Sequence, residues 1–367
     1  MKRSLNYILF TVAVFVSFAC DSGKDKIYGD DTLNDSNASV DDEITEYMER
    51  PDSDNNPGGG GTKTDTDTFV IQDDEKNDDI DMPDNNDETP DETDEGIYST
   101  EPSVGACESG RVAKSEKEKV LERLNYIRSL HDLPPVVYEE DDDTITAECS
   151  LIIAANKQIS HTPDSSWKCF SADAYTGCNK SNIFIQWGGD PLAFPSESVV
   201  DAFMTDENVE SLGHRRWFID PWLSHISFGR VDDTYNKVLG SAIKVINDTE
   251  QSIASSSIEY VAYPYEYYPA ELYNDNVMLS FTLIYDRNNK WTNNKISFAS
   301  SAIAITDPSN KTMKISDMKF DNDGHGVPNN IRWFAEGIKS GVKYDVVITN
   351  VKVNTTFKNY SYWFELK

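Results

Sequence analysis

The sequence predicts a mixed fold: an α+β or α-β-α domain followed by a smaller all-β, sandwich-like domain. Two observations carry this. Apolar residues recur at helical spacing in three stretches between Ser115 and Met204. Beyond Trp222 the period falls to two, and from about Pro264 to Lys367 the chain reads as strand throughout. Helices first and strands only afterwards is the order of an α+β chain, and no internal repeat competes with it.

The 367-residue chain opens with a segment outside that fold. Lys2 and Arg3 precede an apolar run from Tyr7 to Phe18, short for a transmembrane helix, and Ser17 and Ala19 are small residues at a cleavable boundary. Residues 1–20 therefore read as a signal peptide of the lipoprotein type, with Cys20 as the lipidation site, though the usual leucine three residues before the cysteine is absent. Cysteine arithmetic supports this reading. If Cys20 carries lipid, Cys107, Cys149, Cys169 and Cys178 remain as an even set in an oxidising compartment. Four cysteines allow three connectivities. Cys169–Cys178 is expected because it closes a short loop holding Gly177, and Cys107–Cys149 because it ties the start of the domain to its second helix.

Residues 21–106 are expected to be an acidic, disordered linker. From Asp21 to Thr100 there are 27 Asp and Glu against 5 Lys and Arg, which places −22 of the chain's −31 charge there. With few large apolar residues, this segment cannot bury enough surface to offset the entropy of ordering. Its Asp runs lack the D-x-D-x-D-G loop with a closing glutamate, so they read as a solvated tether instead of a calcium site. The acidic balance argues against nucleic acid as a partner.

The folded part is divided into residues 107–263 and residues 264–367. Ser115 to Glu118 has the form of a capping box, and Val120, Leu121, Leu124, Ile127 and Leu130 follow at helical spacing until Pro134 and Pro135 end the helix. A second helix is expected over Thr144 to Ile159, stopping before His161-Thr162-Pro163. A third begins near Ser196 or Ser198 and runs through Val199, Val200, Phe203 and Met204. "HISFGRV", "KVLGSAIKVI" and "SSSIEYVAYP" then read as strands. Near the end, "KYDVVIT" places Tyr344, Val346 and Ile348 on one face, and "YSYWFEL" does the same for Tyr360, Tyr362, Phe364 and Leu366.

Four pieces, in order, carry a family resemblance. They are "LNYIRSLHDLPPVVY", "SHTPD", "SNIFIQ" and "VVDAFMTDENVESLGHRRWFIDP". Together they resemble the CAP superfamily of cysteine-rich secretory, antigen 5 and pathogenesis-related proteins (the SCP domain), in a bacterial branch with a Gly-His-Arg-Arg-Trp run. The resemblance implies an α-β-α sandwich and a shallow cleft with two histidines and two acidic residues. Carried over, the histidines are His161 and His214, and the acidic residue of the third helix is Asp206. The glutamate of the family's Gly-Glu-Asn falls on Ser181, so that carboxylate is lost while Asn182 is kept. The cleft is expected to place His214 opposite His161, with Asp206 and Ser181 on the rim, and Gly213 is expected to supply the sharp turn before His214.

His161, His214 and Asp206 are the candidate ligands of Zn²⁺ or another divalent metal, recruited weakly because Ser181 replaces the fourth acidic group. A metal-dependent, peptidase-like hydrolase is the rival reading. No G-x-S-x-G, H-E-x-x-H or P-loop supports an enzyme, and no catalytic residue is assigned. His131, at the exposed end of a helix, and His225, at the start of a strand, read as structural. Asp321 to Gly326 reads as a turn. Arg215 and Arg216 are expected to pair with a nearby carboxylate among Asp206, Glu207, Glu210 and Asp220 while stacking on an aromatic neighbour. The chain is thus expected to be an exported, lipid-anchored, monomeric surface protein that binds an extracellular ligand or protein.

Overall fold

A computed structural model describes residues 96–367. The signal peptide, Cys20 and all of the linker up to residue 95 lie outside the described residues. Folded structure reaches back before residue 107. Tyr98–Thr100 (β1) pairs antiparallel with Arg111–Val112 (β2), and the Tyr98 hydroxyl donates to Asp232. Here the expected linker is wrong, because Tyr98 is one of its few large side chains and it finds a buried carboxylate.

Lys114–Ser129 forms α1. Its N-cap is Ala113, with no side-chain cap, so Ser115 does not cap the helix as expected. Ala113 is held extended because its N–H donates to the Ile97 carbonyl, and the helix starts immediately after it. Val137–Tyr138 (β3) leads to α2, Asp143–Asn156. This helix ends three residues before Ile159 because Lys157 adopts a left-handed conformation (φ 56°). Ala172–Lys180 (α3) was not marked by periodicity. Ser181–Trp187 (β4), Ser198–Thr205 (α4), Gly213–Phe218 (α5), His225–Asp233 (β5) and Val238–Lys244 (β6) complete this part.

The four strands lie in the order β3-β5-β6-β4, with β3 and β5 parallel and the other pairs antiparallel. Strand alternation sends Ile183, Ile185 and Ala242 to one face, where Cys149, Ile152 and Ile153 of α2 and Ala174 and Cys178 of α3 cover them. Phe184, Leu239 and Ile243 face the other way, against Val120, Leu124, Val200, Phe203 and Phe218 of α1, α4 and α5. The three layers α-β-α follow from that alternation. Close approach of α2 to the sheet needs Gly229, where a Cβ would sit 2.1 Å from the Thr146 carbonyl oxygen.

The disulfides are Cys107–Cys169 and Cys149–Cys178, so both expected pairings are corrected. Gly177 is the reason for the second bridge. It does not serve a short loop. It lets α3 lie flat on α2, where a Cβ would come within 1.9 Å of the Ile145 carbonyl oxygen, and this brings neighbouring Cys178 onto Cys149. Cys169 is thereby left to the incoming N-terminal segment.

After β6 the chain is all-β apart from short 3₁₀ segments. Tyr260–Tyr263 (β7), Glu266–Tyr268 (β8), Leu279–Leu283 (β9), Ile296–Ser297 (β10), Ala302–Thr306 (β11), Lys314–Asp321 (β12), Asn330–Glu336 (β13), Lys343–Val353 (β14) and Thr356–Leu366 (β15) form two sheets. One has the order β12-β13-β9-β7; the other is β10-β14-β15-β8, with β11 also on β14. Their inner faces meet through Phe281, Trp333, Tyr344, Val346, Ile348, Tyr362 and Phe364, and Phe281 stacks on Tyr362 with centroids 6.1 Å apart. The alternation read from "KYDVVIT" and "YSYWFEL" is the observed one. This apolar cluster is continuous with the α1/α4/α5 side of the first sheet.

Candidate functional site

The site is built where α4 gives way to α5. Asp206 caps α4 in a left-handed conformation (φ 51°), with its N–H on the Ala202 carbonyl, and this turns its side chain back toward the next segment. Leu212 also takes a left-handed conformation (φ 53°), directly before α5. The expected turn at Gly213 therefore lies one residue earlier. Gly213 does not need positive φ; its place is crowded, and a Cβ there would meet His325 Nδ1 and Ser211 Oγ at 3.3 Å.

These two turns bring His214 against Asp206. His214 Nδ1 lies 2.8 Å from Asp206 Oδ1, and Asp206 Oδ2 accepts the Arg215 N–H at 3.2 Å. Both side chains are buried, Asp206 at 3% exposure, and the Phe203 ring packs on the imidazole with centroids 4.6 Å apart. Asn182 Nδ2 donates to the His214 carbonyl at 3.1 Å, which fastens β4 to α5. A carboxylate facing Nδ1 selects the tautomer with the proton on Nδ1 and leaves Nε2 as the atom for other partners.

His161 lies five residues beyond the end of α2, half-buried, with Nδ1 2.8 Å from the Cys178 carbonyl oxygen. A carbonyl only accepts, so Nδ1 is again the protonated nitrogen and Nε2 carries the lone pair. Burial pushes the His161 pKa down; the Cys178 carbonyl opposes this, and His214 lowers it further.

Ser181 is not on a rim. It is 4% exposed, and its Oγ has no hydrogen-bond partner. Alternation along β4 places it on the face of Ile183 and Ile185, opposite to Asn182 and Phe184. Asp206 is also buried where a rim position was expected, because both of its oxygens are used inside. That use bears on metal binding. Asp206 orients His214 in the way that outer carboxylates orient metal-binding histidines, and each of its oxygens already accepts one hydrogen bond. Among the described residues no group of three or more His, Cys, Asp and Glu side chains is arranged to hold a metal ion.

Arg215 and Arg216 do not use the carboxylates close in sequence. Arg215 donates to the carbonyls of Met204, Thr205 and Met278 and lies 3.7 Å from the centre of the Tyr263 ring. Arg216 reaches Asp321 at 2.9 Å, which also binds Arg332 at 2.6 Å. The Asp321–Gly326 turn is therefore a counter-charge for buried arginines. His131, expected at an exposed helix end, is buried beneath Tyr263 and Tyr268. Arg128 is a support that sequence reasoning missed. It is fully buried and donates to the carbonyls of Pro134, Phe218 and Asp220, tying α1 to the segment after α5. No local signal marks it, since its partners are backbone atoms and two of them, in Phe218 and Asp220, lie 90 and 92 residues away.

Residues 121–245 match the family model of CAP, the cysteine-rich secretory protein family. The matched segment contains His161, Ser181, Asn182, Asp206 and His214. No curated protein matches the chain.

Proposed function

We propose that this chain is an exported, lipid-anchored bacterial surface protein whose CAP domain binds an extracellular ligand at His161 and His214. One observation carries the reading. Each imidazole is held through Nδ1, His214 by Asp206 and His161 by the Cys178 carbonyl, which fixes each ring and leaves Nε2 as its unprotonated nitrogen. Holding an acceptor in place before the ligand arrives lowers the ordering cost of binding. Export is supported by the two disulfides. They use Cys107, Cys149, Cys169 and Cys178, which leaves Cys20 outside both bridges and suits its assignment as the lipid carrier.

The rival hydrolase would need a third metal ligand and a base, and the Asp206 carboxylate is already engaged by His214 and Arg215. The role of the β-rich residues 264–367 in this reading is support, since Arg215 donates to the Met278 carbonyl.

Zn²⁺ is the simplest probe of two unprotonated Nε2 atoms. Calorimetric titration is expected to show weak binding in the wild-type chain, no binding in His214→Ala, and a reduced affinity in His161→Ala. Equal affinity in all three proteins would show that the pair is not a binding site. Mass spectrometry of the mature N-terminus checks the anchor: an acylated Cys20 is expected, and an unmodified chain beginning elsewhere would remove it.

A further inference from the structure

A cavity of about 550 Å³ lies away from the His161/His214 pair, where the end of α1 meets β7 and the segment leading into it. That volume suits a small organic molecule. Its lining has a consistent chemistry. Asp132 and Glu259 contribute carboxylates, residues 255–257 are three consecutive serines, and no lysine or arginine takes part. Tyr260 and Tyr265 form one wall and meet edge to face with centroids 6.1 Å apart. The Glu266 and Asp132 carboxylates both bear on the Tyr265 hydroxyl and, after burial and Tyr260, raise its pKa. The field at this wall is therefore negative.

Two polar atoms on the lining are buried and have no hydrogen-bond partner: His131 Nδ1 and Ser256 Oγ. His131 is only 4% exposed, and its other nitrogen is 3.2 Å from the Tyr268 hydroxyl. Burial, opposed by the Ala262 backbone and reinforced by Arg215 and Arg128, pulls its pKa down to about 3. The imidazole is neutral in ordinary buffers and adds no positive charge to the lining. A buried polar atom without a partner costs free energy that a ligand can recover.

We propose that this cavity binds a small organic ammonium ion, its charge facing the Asp132 and Glu259 carboxylates and its alkyl part against Tyr260 and Tyr265. Carboxylates and serine hydroxyls are acceptors, and an ammonium ion brings donors or bare positive charge to them. Tyrosine faces attract such cations as well. An anion would find no basic side chain on the lining. A bare metal ion would leave the tyrosine wall and most of the volume unused. This site stands independently of the His161/His214 reading.

Choline is the probe. Its uncharged isostere 3,3-dimethylbutan-1-ol tests the charge, and glucose tests a neutral hydrogen-bonding ligand. Calorimetry on the full chain should show saturable choline binding and about 10-fold or more weaker binding of the alcohol and of glucose, matching the loss of about 1.4 kcal/mol or more. Tyr265→Leu should weaken choline about 3- to 30-fold. Asp132→Asn with Glu259→Gln should weaken it further. Both carboxylates are exposed, and asparagine tolerates the left-handed backbone at position 132 (φ 55°), so this double variant decides the matter if Tyr265→Leu fails to fold. His214→Ala should leave choline binding unchanged. Absence of saturation in the wild-type chain, equal binding of the alcohol or glucose, or indifference to the double carboxylate variant would each overturn the proposal.

Discussion

Replacing Asp206 by alanine removes the acceptor of two buried hydrogen bonds at once, from His214 Nδ1 at 2.8 Å and from the Arg215 N–H at 3.2 Å. Hydrogen bonds to a charged group contribute about 1.5–3 kcal/mol each, and a buried donor left without a partner costs about 1–3 kcal/mol. Alanine also has to adopt the left-handed backbone of position 206 (φ 51°), which costs about 1–2 kcal/mol. These terms overlap, because the surroundings relax and water reaches some of the freed groups. A net loss of about 3–5 kcal/mol is expected for Asp206→Ala, at the upper end for a single substitution. Asparagine accepts the same backbone and keeps one carbonyl oxygen as acceptor, so Asp206→Asn is expected to cost about 1–2 kcal/mol. Urea denaturation with the disulfides intact measures both, provided that the slope m is unchanged between the proteins. A loss below about 1 kcal/mol for Asp206→Ala, or equal losses for the two variants, would refute the argument that this carboxylate holds the start of α5.

Two further predictions concern the covalent frame and pH. Non-reducing peptide mapping should recover Cys107–Cys169 and Cys149–Cys178; for sequence separations of 62 and 29, removing the bridges singly should cost about 4.3 and 3.6 kcal/mol in the chain-entropy model, and recovery of Cys169–Cys178 would contradict the packing of α3 on α2. His131, with its pKa lowered to about 3 chiefly by burial, stays neutral in the folded chain while the unfolded chain takes up a proton below about pH 6.5, so its contribution is full above that value and is lost as pH falls toward 3. Between pH 6.5 and 5 the loss should approach about 2 kcal/mol, and His131→Phe, which keeps an aromatic ring beside Tyr263 and Tyr268, should flatten that part of the stability profile; an unchanged slope would show that His131 is not its source.

The parts of the fold that were legible in the sequence are those set by period. Val120, Leu124 and Ile127 of α1, the alternation of β14 and β15, and the order of helices before strands all follow from which side chains must leave water. Elements with short or mixed patterns were not legible. The nine residues of α3 bury only Ala174, Gly177 and Cys178, which is too little apolar surface to show a helical stripe. The six residues of α5 bury His214, Arg215, Arg216 and Phe218, so charge there does not mark a solvated face. At the site, residue types were legible but not directions. His214 and Asp206 were expected together and are in contact, whereas Ser181 lies on the face of β4 that points away from Asn182.

What hides the remaining contacts is the identity of the partner. A guanidinium that meets a carboxylate can be anticipated, because both residues are visible in the sequence. Arg128 and Arg215 are instead satisfied largely by carbonyl oxygens, which every residue carries and no residue type announces. The candidate site depends on the same kind of contact. His161 is oriented by the carbonyl of Cys178, and Asn182 is held by the carbonyl of His214. Cys178 is also the residue that bridges α3 to α2, so the disulfide fixes the backbone atom that fixes His161. Loss of that bridge should therefore do more than lower stability: it should free the His161 ring and weaken Zn²⁺ binding even in chains that remain folded, whereas loss of Cys107–Cys169 should lower stability with the affinity retained. Paired calorimetry on Cys149→Ala/Cys178→Ala and Cys107→Ala/Cys169→Ala separates the two, and equal Zn²⁺ affinity in both would mean that the Cys178 carbonyl does not orient His161.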